Sequence, residues 1–158
     1  MNEMQVKFMR EAIKLSMQNV GSGIGGPFGA LVVKDNKIIS LATNEVSSSF
    51  DPTAHAEIVA IRKACKELGT YQLSDCELYC SCEPCPMCLG AIYWARPKQV
   101  FYANTRLDAA NIGFDDAFIY EEMEKGISQR KIPMVQILRE EAIEAFHQWK
   151  INGDSNLH

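Results

Sequence analysis

The sequence predicts an α/β sandwich in which helices cover both faces of one sheet. Strand-like apolar runs alternate along the chain with segments of helical periodicity, and glycine-rich or turn-forming stretches separate them. The chain has 158 residues, enough for one domain with a substantial core. Neither a linker nor an internal repeat interrupts it, so we expect a single domain over residues 1–158.

The first elements are a helix and a β-hairpin. Apolar residues recur at helical spacing over residues 6–20, and the glycine-rich segment 21–27 ends this helix. No Lys-Ser or Lys-Thr pair follows these glycines, so a phosphate-binding loop is not expected. Residues 28–33 and 38–42 are predicted strands, joined by a turn over 35–37.

The rest of the chain continues the alternation. A helix is predicted over residues 52–68 with Gly69 as its stop, followed by a third strand over 76–80. Another helix begins near Pro84. The remaining predicted elements are a strand at 100–103, a helix at 114–123, a fifth strand at 134–138 and a last helix at 140–149.

Charge and composition exclude several classes of partner. The formal net charge is −4, from 16 Lys and Arg and 20 Asp and Glu, without a basic cluster. Because polynucleotides are attracted by clustered Lys and Arg, no nucleic acid partner is expected. The amino-terminal residues are charged and amphipathic, unlike a signal peptide, and no apolar run is long enough to span a bilayer. We therefore expect a cytoplasmic protein, without a membrane partner, whose six cysteines are reduced.

The strongest functional signal is one imidazole and two thiols at metal-ligand spacing. Glu57 follows His55 at the second position, and Cys85 and Cys88 form a Cys-x-x-Cys pair directly after Pro84. Three protein ligands leave a tetrahedral zinc with one open position, which is typical of catalytic sites, where the metal lowers the pKa of a bound water. Glu57 can then transfer protons without binding the metal.

All three predicted ligands fall at the beginning of a predicted helix. Cys85 and Cys88 are one helical turn apart, so both sulfur atoms face one way. The positive end of the helix dipole favours the thiolate form that metal binding requires.

The cysteines also allow other interpretations. A closed structural zinc site would take its fourth ligand from Cys76, Cys80 or Cys82. Cys82 and Cys85 are a second Cys-x-x-Cys and would suit a redox pair. The redox interpretation leaves the upstream histidine and glutamate without a role, and we favour the open zinc site.

His-x-Glu followed by Pro-Cys-x-x-Cys is the motif of zinc deaminases, and over about residues 5–125 the chain resembles the cytidine/deoxycytidylate deaminase superfamily. Segments 25–30, 51–57, 88–96 and 113–116 look like the bacterial guanine deaminase branch. The resemblance implies a three-layer α/β/α sandwich with a mixed sheet, in which we place five strands. It also implies one Zn²⁺ per subunit and hydrolysis of guanine to xanthine and ammonia, a step of purine metabolism.

Carried onto this sequence, the resemblance makes His55, Cys85 and Cys88 the zinc ligands and Glu57 the catalytic proton shuttle. It implies substrate contacts for Asn44, Phe28, Trp94 and Asp116.

Each implied substrate contact has a structural alternative. The Asn44 carboxamide offers a donor and an acceptor to a purine edge, but an asparagine at a strand end also caps turns. Phe28 either stacks on a flat base or begins the core of a strand, and Trp94 either lines the pocket or fills the core behind the zinc helix. Asp116 can accept two adjacent N–H groups of guanine; Asp115 is its competitor, and an exposed acid at a helix start is the alternative.

The branch also implies a homodimer in which a C-terminal segment, about residues 130–158, is exchanged between subunits. Residues 131–133, which end in a proline, form an extended hinge in this interpretation. Branch members tend to finish with an aromatic side chain near the site, whereas no Tyr or Phe follows Trp149 here. The last residue, His158, either takes that place as a polar lid or belongs to a frayed terminus.

Two other classes of function remain open. A tRNA adenosine deaminase, or another nucleobase or nucleoside deaminase, shares the zinc motif. The tRNA enzyme needs a basic surface, whereas the last predicted helix carries Glu140, Glu141 and Glu144. A structural zinc module without catalysis is the non-enzyme alternative, and it would have no use for Glu57. Release of ammonia from free guanine, set against inosine formation in a tRNA anticodon stem, discriminates between the two enzymes. Zinc content and ammonia release measured in one preparation discriminate between an enzyme and the structural module.

Overall fold

A computed structural model describes residues 2–23 and 25–152 of the chain. The described strands are β1 (Gly29–Lys34), β2 (Lys37–Thr43), β3 (Cys76–Cys82) and β4 (Gln99–Asn104). They form one sheet in the order β2-β1-β3-β4. β1 runs antiparallel to β2 and β3, whereas β3 and β4 are parallel, so the sheet is mixed as predicted.

The helices connect and flank these strands. They are α1 (Glu3–Ser22), α2 (Val46–Ser49), α3 (Ala56–Leu68), α4 (Pro86–Ala95), α5 (Arg106–Asn111), α6 (Ala117–Glu124) and α7 (Arg139–Asn152). A single 3₁₀ turn over Ile127–Gln129 lies between α6 and α7. None of the helices in the described residues is both long and apolar enough to cross a membrane.

Alternation along the strands creates two separate cores. Ala30 and Val32 belong to a buried cluster that includes residues of α3 and α4. Leu31 and Val33 point the other way and pack in a second cluster with Phe8 of α1. Helices therefore cover both faces of the sheet, which confirms the three-layer α/β/α prediction.

The predicted fifth strand is wrong. Residues 133–138 form no ladder with any strand in the described part of the chain. Their apolar and β-branched side chains suit a strand. Strand propensity, however, reflects packing against a neighbouring strand, and no neighbouring strand is present for these residues in the described part of the chain. The sheet accordingly has four strands.

Several helix boundaries also differ from the prediction. The helix expected from residue 52 begins at Ala56, because Asp51 Oδ1 accepts the backbone N–H of Thr53 and holds residues 51–54 in a turn. α5 was not predicted, although the Thr105 and Asp108 side chains form a capping box at its start. The helix expected from residue 114 begins at Ala117.

Contacts divide the chain into two compact units, Met1–Asp116 and Ala117–His158. The first unit contains the sheet and α1 to α5, including every predicted ligand and substrate contact. The second contains α6, the 3₁₀ turn and α7. His158, the predicted polar lid, lies outside the described residues.

Candidate metal centre

His55 is placed by the turn that precedes α3. It is the N-cap residue of that helix, in extended conformation, and its N–H donates to the carbonyl of Thr53 at 2.8 Å. The carbonyl of Ala54 accepts the backbone N–H of Glu45 at 2.9 Å, which ties this turn to the chain leaving β2. The imidazole is thus held at the positive end of α3, with Glu57 in the first turn.

The two cysteines are placed in the same way by the connection from β3 to α4. Cys85 is the N-cap residue of α4, and Pro86 occupies the first helical position, where its missing N–H costs no hydrogen bond. Cys88 follows in the first turn and is fully buried. The prediction that all ligands lie at helix N-termini agrees with this placement.

The three side chains converge on one point. The Sγ atoms of Cys85 and Cys88 each lie 3.5 Å from Nδ1 of His55, and the three atoms form a group within 4.8 Å of one another. A tetrahedral zinc with bonds of about 2.3 Å to sulfur and about 2.1 Å to nitrogen separates those ligand types by about 3.6 Å. The donor set and its spacing therefore fit zinc.

The electrostatics of the group favour a bound cation. The Cys88 thiol donates a hydrogen bond to Cys85, which lowers the pKa of Cys85 to about 4, with His55 contributing. The same bond raises the pKa of Cys88, which retains the proton. The hydrogen bond with Cys85 raises the pKa of His55. A cation that replaces the shared proton leaves two thiolates as ligands.

Glu57 lies beside this group without belonging to it. Its side chain is only 8% exposed, and burial raises the pKa of the carboxyl. A carboxyl with a raised pKa exchanges protons more readily near neutral pH than an exposed one.

A cavity of about 80 Å³ opens onto His55, Cys85 and Glu57. Its walls are formed by Phe28, His55, Glu57, Cys82, Glu83, Cys85, Arg106, Ala109, Phe114 and Asp116. The rings of Phe28 and Phe114 meet edge to face, with centroids 5.0 Å apart and planes at 90°. The cavity thus has a polar end, which contains His55, Glu57 and Cys85, and an aromatic corner, which is formed by Phe28 and Phe114.

The structure brings two of the four predicted substrate contacts into this cavity, Phe28 and Asp116. Partial burial raises the pKa of Asp116; the charge of Cys85 adds to this effect and that of Arg106 opposes it. Asn44 is buried and outside the cavity wall, and its Oδ1 accepts the backbone N–H of Val46 at 3.3 Å. Trp94 is 66% exposed on α4 and does not line the cavity in this chain.

The alternative of a closed site gains no support from the geometry. Within residues 2–23 and 25–152, the metal-ligand group contains only the one histidine and two cysteines. Cys82 lines the cavity, but its Sγ lies 3.6 Å from the carbonyl oxygen of Thr105 and contributes a hydrogen bond there. Cys82 therefore lies on the cavity wall outside the group of His55, Cys85 and Cys88.

Four further wall residues were not singled out by sequence reasoning: Glu83, Arg106, Ala109 and Phe114. The backbone N–H of Arg106 donates to Oε2 of Glu83 at 3.0 Å, which attaches the start of α5 to the loop before Cys85. The spacing of Thr105 and Asp108 in the sequence was the available signal, since it predicts a helix beginning at this point.

Known proteins resemble this chain in sequence and fold. Residues 2–104 match the family model described as the cytidine and deoxycytidylate deaminase zinc-binding region. The chain is 59% identical to guanine deaminase of Bacillus subtilis over 143 residues, 90% of this chain and 92% of that protein. It also superposes on an X-ray structure of B. subtilis guanine deaminase with a TM-score of 0.93 and 55% identity, covering 100% of this chain and 99% of that one.

Similarity to RNA-modifying relatives is shorter. A tRNA-specific adenosine deaminase of Aquifex aeolicus is 48% identical over 77 residues, which cover 49% of this chain and 51% of that protein.

Replacement of either thiolate should abolish stoichiometric zinc binding. Cys85→Ala and Cys88→Ala each leave two protein ligands, so we expect most of the zinc to be lost, as measured by elemental analysis of purified protein. Cys82→Ala is the matched control and should retain one zinc per chain. Loss of zinc from Cys82→Ala would instead indicate a fourth protein ligand and a closed site.

Proposed function

This chain belongs to the cytidine and deoxycytidylate deaminase family, and we propose that it is a zinc-dependent guanine deaminase, converting guanine and water to xanthine and ammonia. One observation carries this proposal. His55, Cys85 and Glu57 line one cavity, and Cys88 belongs to the same metal-ligand group, in a chain that resembles a guanine deaminase over nearly its whole length. The hydrogen bond from Cys82 Sγ to the carbonyl of Thr105 supports an open coordination position, because it directs this thiol to the backbone.

We assign proton transfer to Glu57. Zinc, when bound by His55, Cys85 and Cys88, acts as a Lewis acid that makes the attacking water more acidic. The Glu57 carboxylate accepts a proton from this water as its oxygen bonds to the ring carbon bearing the amino group. It delivers this proton to the ring nitrogen, then accepts the remaining proton of the hydroxyl group now on the carbon and passes it to the amine, which leaves as ammonia while the C=O bond forms.

Recognition of the base is assigned to the other end of the cavity. The Phe28 and Phe114 rings, packed edge to face, offer a purine two apolar walls at right angles. Asp116 carries two acceptor oxygens, which match the adjacent N1–H and amino donors of guanine. We also retain Asn44 as a contact: it follows β2, and its backbone N–H donates to the carbonyl of Phe28 at 3.1 Å.

The tRNA alternative is less well supported. The first turn of α7 carries Glu140 and Glu141, with Lys150 in the last turn. Such a helix repels an RNA backbone at its start.

Glu57→Gln should retain zinc and lose turnover. The substitution keeps the size of the side chain and removes its ability to accept a proton, so kcat should fall by about 10²–10⁴. Ammonia release from guanine, with zinc measured in the same sample, tests this. Wild-type protein that holds zinc and releases ammonia from none of a panel of bases, nucleosides and a tRNA anticodon stem would contradict the enzymatic function.

Asp116→Asn should reduce kcat/KM for guanine by about tenfold or more. The amide supplies a donor where the substrate also has donors, so one hydrogen bond to an ionised acceptor is lost. Asp115→Asn is the neighbouring control and should change kcat/KM by no more than about twofold. The assignment fails if Asp115→Asn lowers kcat/KM for guanine and Asp116→Asn does not, or if kcat/KM of Asp116→Asn equals that of the wild type.

We further propose that the protein is a homodimer that exchanges its C-terminal segment, about residues 130–158. Monomeric proteins rarely expose large apolar patches, and such patches often mark an interface with another chain. Many large apolar side chains are exposed in the single chain. In the second unit these include Phe118, Ile132, Val135, Ile137, Phe146 and Ile151. In the first unit they include Tyr93 and Trp94, so a covering segment would also enclose the proposed Trp94 contact.

Light scattering at micromolar concentration should give twice the 17.7 kDa mass of one chain. Burial of this apolar surface between subunits is the physical reason. A mass of one chain under these conditions would rule the dimer out.

A cytoplasmic site of action is proposed on the chemistry of the ligands. Cys85 and Cys88 bind metal only as reduced thiolates, and a reducing compartment keeps them so.

A further inference from the structure

One buried polar side chain lies outside the cavity and has no part in the mechanism above. Asn19 is in the last turns of α1 and is only 4% exposed. Its Nδ2 donates two hydrogen bonds, to the carbonyl of Gly26 at 2.7 Å and to the carbonyl of Asn44 at 3.0 Å. Both protons of the amide are therefore used, and they join two segments that are distant in sequence.

The two acceptors are on either side of Phe28. The N–H of Phe28 donates to the carbonyl of Gly26 at 2.8 Å, and the carbonyl of Phe28 accepts the N–H of Asn44 at 3.1 Å. The next residue, Gly29, donates its N–H to the buried hydroxyl of Ser81 at 3.0 Å. Hydrogen bonds thus fix the backbone of Phe28 on its amino-terminal and carboxy-terminal sides. Asn19 links the two acceptors, Gly26 and Asn44, through its side-chain amide.

The glycine segment is pressed tightly against this junction. A Cβ atom added at Gly25 would lie 2.2 Å from the carbonyl oxygen of Asn44 and 3.0 Å from Nδ2 of Asn19. Such an approach is open only to glycine, because backbone stands where the side chain would be. The Gly25–Asn44 contact and the Asn19 amide therefore hold one arrangement of the loop and the end of β2.

We propose that Asn19 is a positioning residue for base binding: it fixes Phe28 and Asn44 relative to each other and so sets the aromatic wall of the cavity. This inference rests on the proposed function. Asn19 touches neither the cavity nor the metal ligands, which are carried by α3 and α4. It acts on substrate affinity and leaves the metal centre and Glu57 unchanged.

The test compares Asn19→Leu with wild type. Leucine keeps the size of the side chain and removes both donors, so Phe28 and Asn44 lose their common anchor. We expect KM for guanine to rise by about tenfold or more, with kcat within about threefold of wild type, since a loss of uniform binding raises KM alone. Zinc content should remain one per chain, and guanine binding to Glu57→Gln protein should weaken by the same factor when Asn19→Leu is added.

Asn2→Ala is the matched control for a purely structural role. Asn2 caps the other end of α1, where its Oδ1 accepts the N–H of Gln5 at 2.8 Å, so its loss weakens the same helix without touching the loop. This variant should unfold at lower urea concentration and keep the wild-type KM. An equal rise in KM for Asn2→Ala and Asn19→Leu would overturn the proposal.

Gly25→Ala provides a second approach if Asn19→Leu does not fold. Its Cβ displaces the Asn44 carbonyl, which accepts one of the two Asn19 hydrogen bonds, so the same rise in KM is expected. A wild-type KM in either folded variant overturns the inference and leaves the deaminase assignment standing. A wild-type enzyme that releases no ammonia from guanine instead defeats the proposed function itself.

Discussion

Two helix N-termini meet at the candidate metal centre, and the contact between His55 and the two cysteine sulfurs is the constraint on which the site depends. The Sγ atoms of Cys85 and Cys88 lie 3.5 Å from Nδ1 of His55 although thirty residues of chain separate them. The sheet brings these helix starts together, because β3 leads directly into α4 while the chain leaving β2 leads into α3. A cation bound here would replace the Cys88 proton and any proton on His55, and would compensate the charge of two buried thiolates.

Reaction and recognition are carried by different parts of the first unit. Glu57 shares α3 with the proposed histidine ligand, so its distance from the metal centre is set by one helical turn. The aromatic corner instead combines Phe28, from the loop before β1, with Phe114, which follows α5. Loops have fewer internal hydrogen bonds than helices. The loop that carries Phe28 therefore needs the Asn19 amide to hold its position, whereas the candidate metal ligands are held by the starts of α3 and α4.

The sequence predicted most reliably what short spacing determines. The candidate ligands Cys85 and Cys88 lie together, because Cys-x-x-Cys at a helix start fixes both side-chain directions within one turn, whereas their approach to His55 depends on the sheet and was expected from the motif alone. The fifth strand over residues 134–138 failed because strand formation depends on a partner that lies elsewhere in sequence or in another chain. The surroundings of Trp94 also depend on long-range packing and could not be derived from a residue type.

X-ray absorption at the zinc edge of the purified protein tests the central claim most directly, because it counts the ligands around the metal. The account predicts two sulfur atoms at about 2.3 Å and two nitrogen or oxygen atoms at about 2.0–2.1 Å, one of them exchangeable with solvent. A shell with three or four sulfur atoms would place Cys82 or another thiolate on the metal and contradict the open catalytic site.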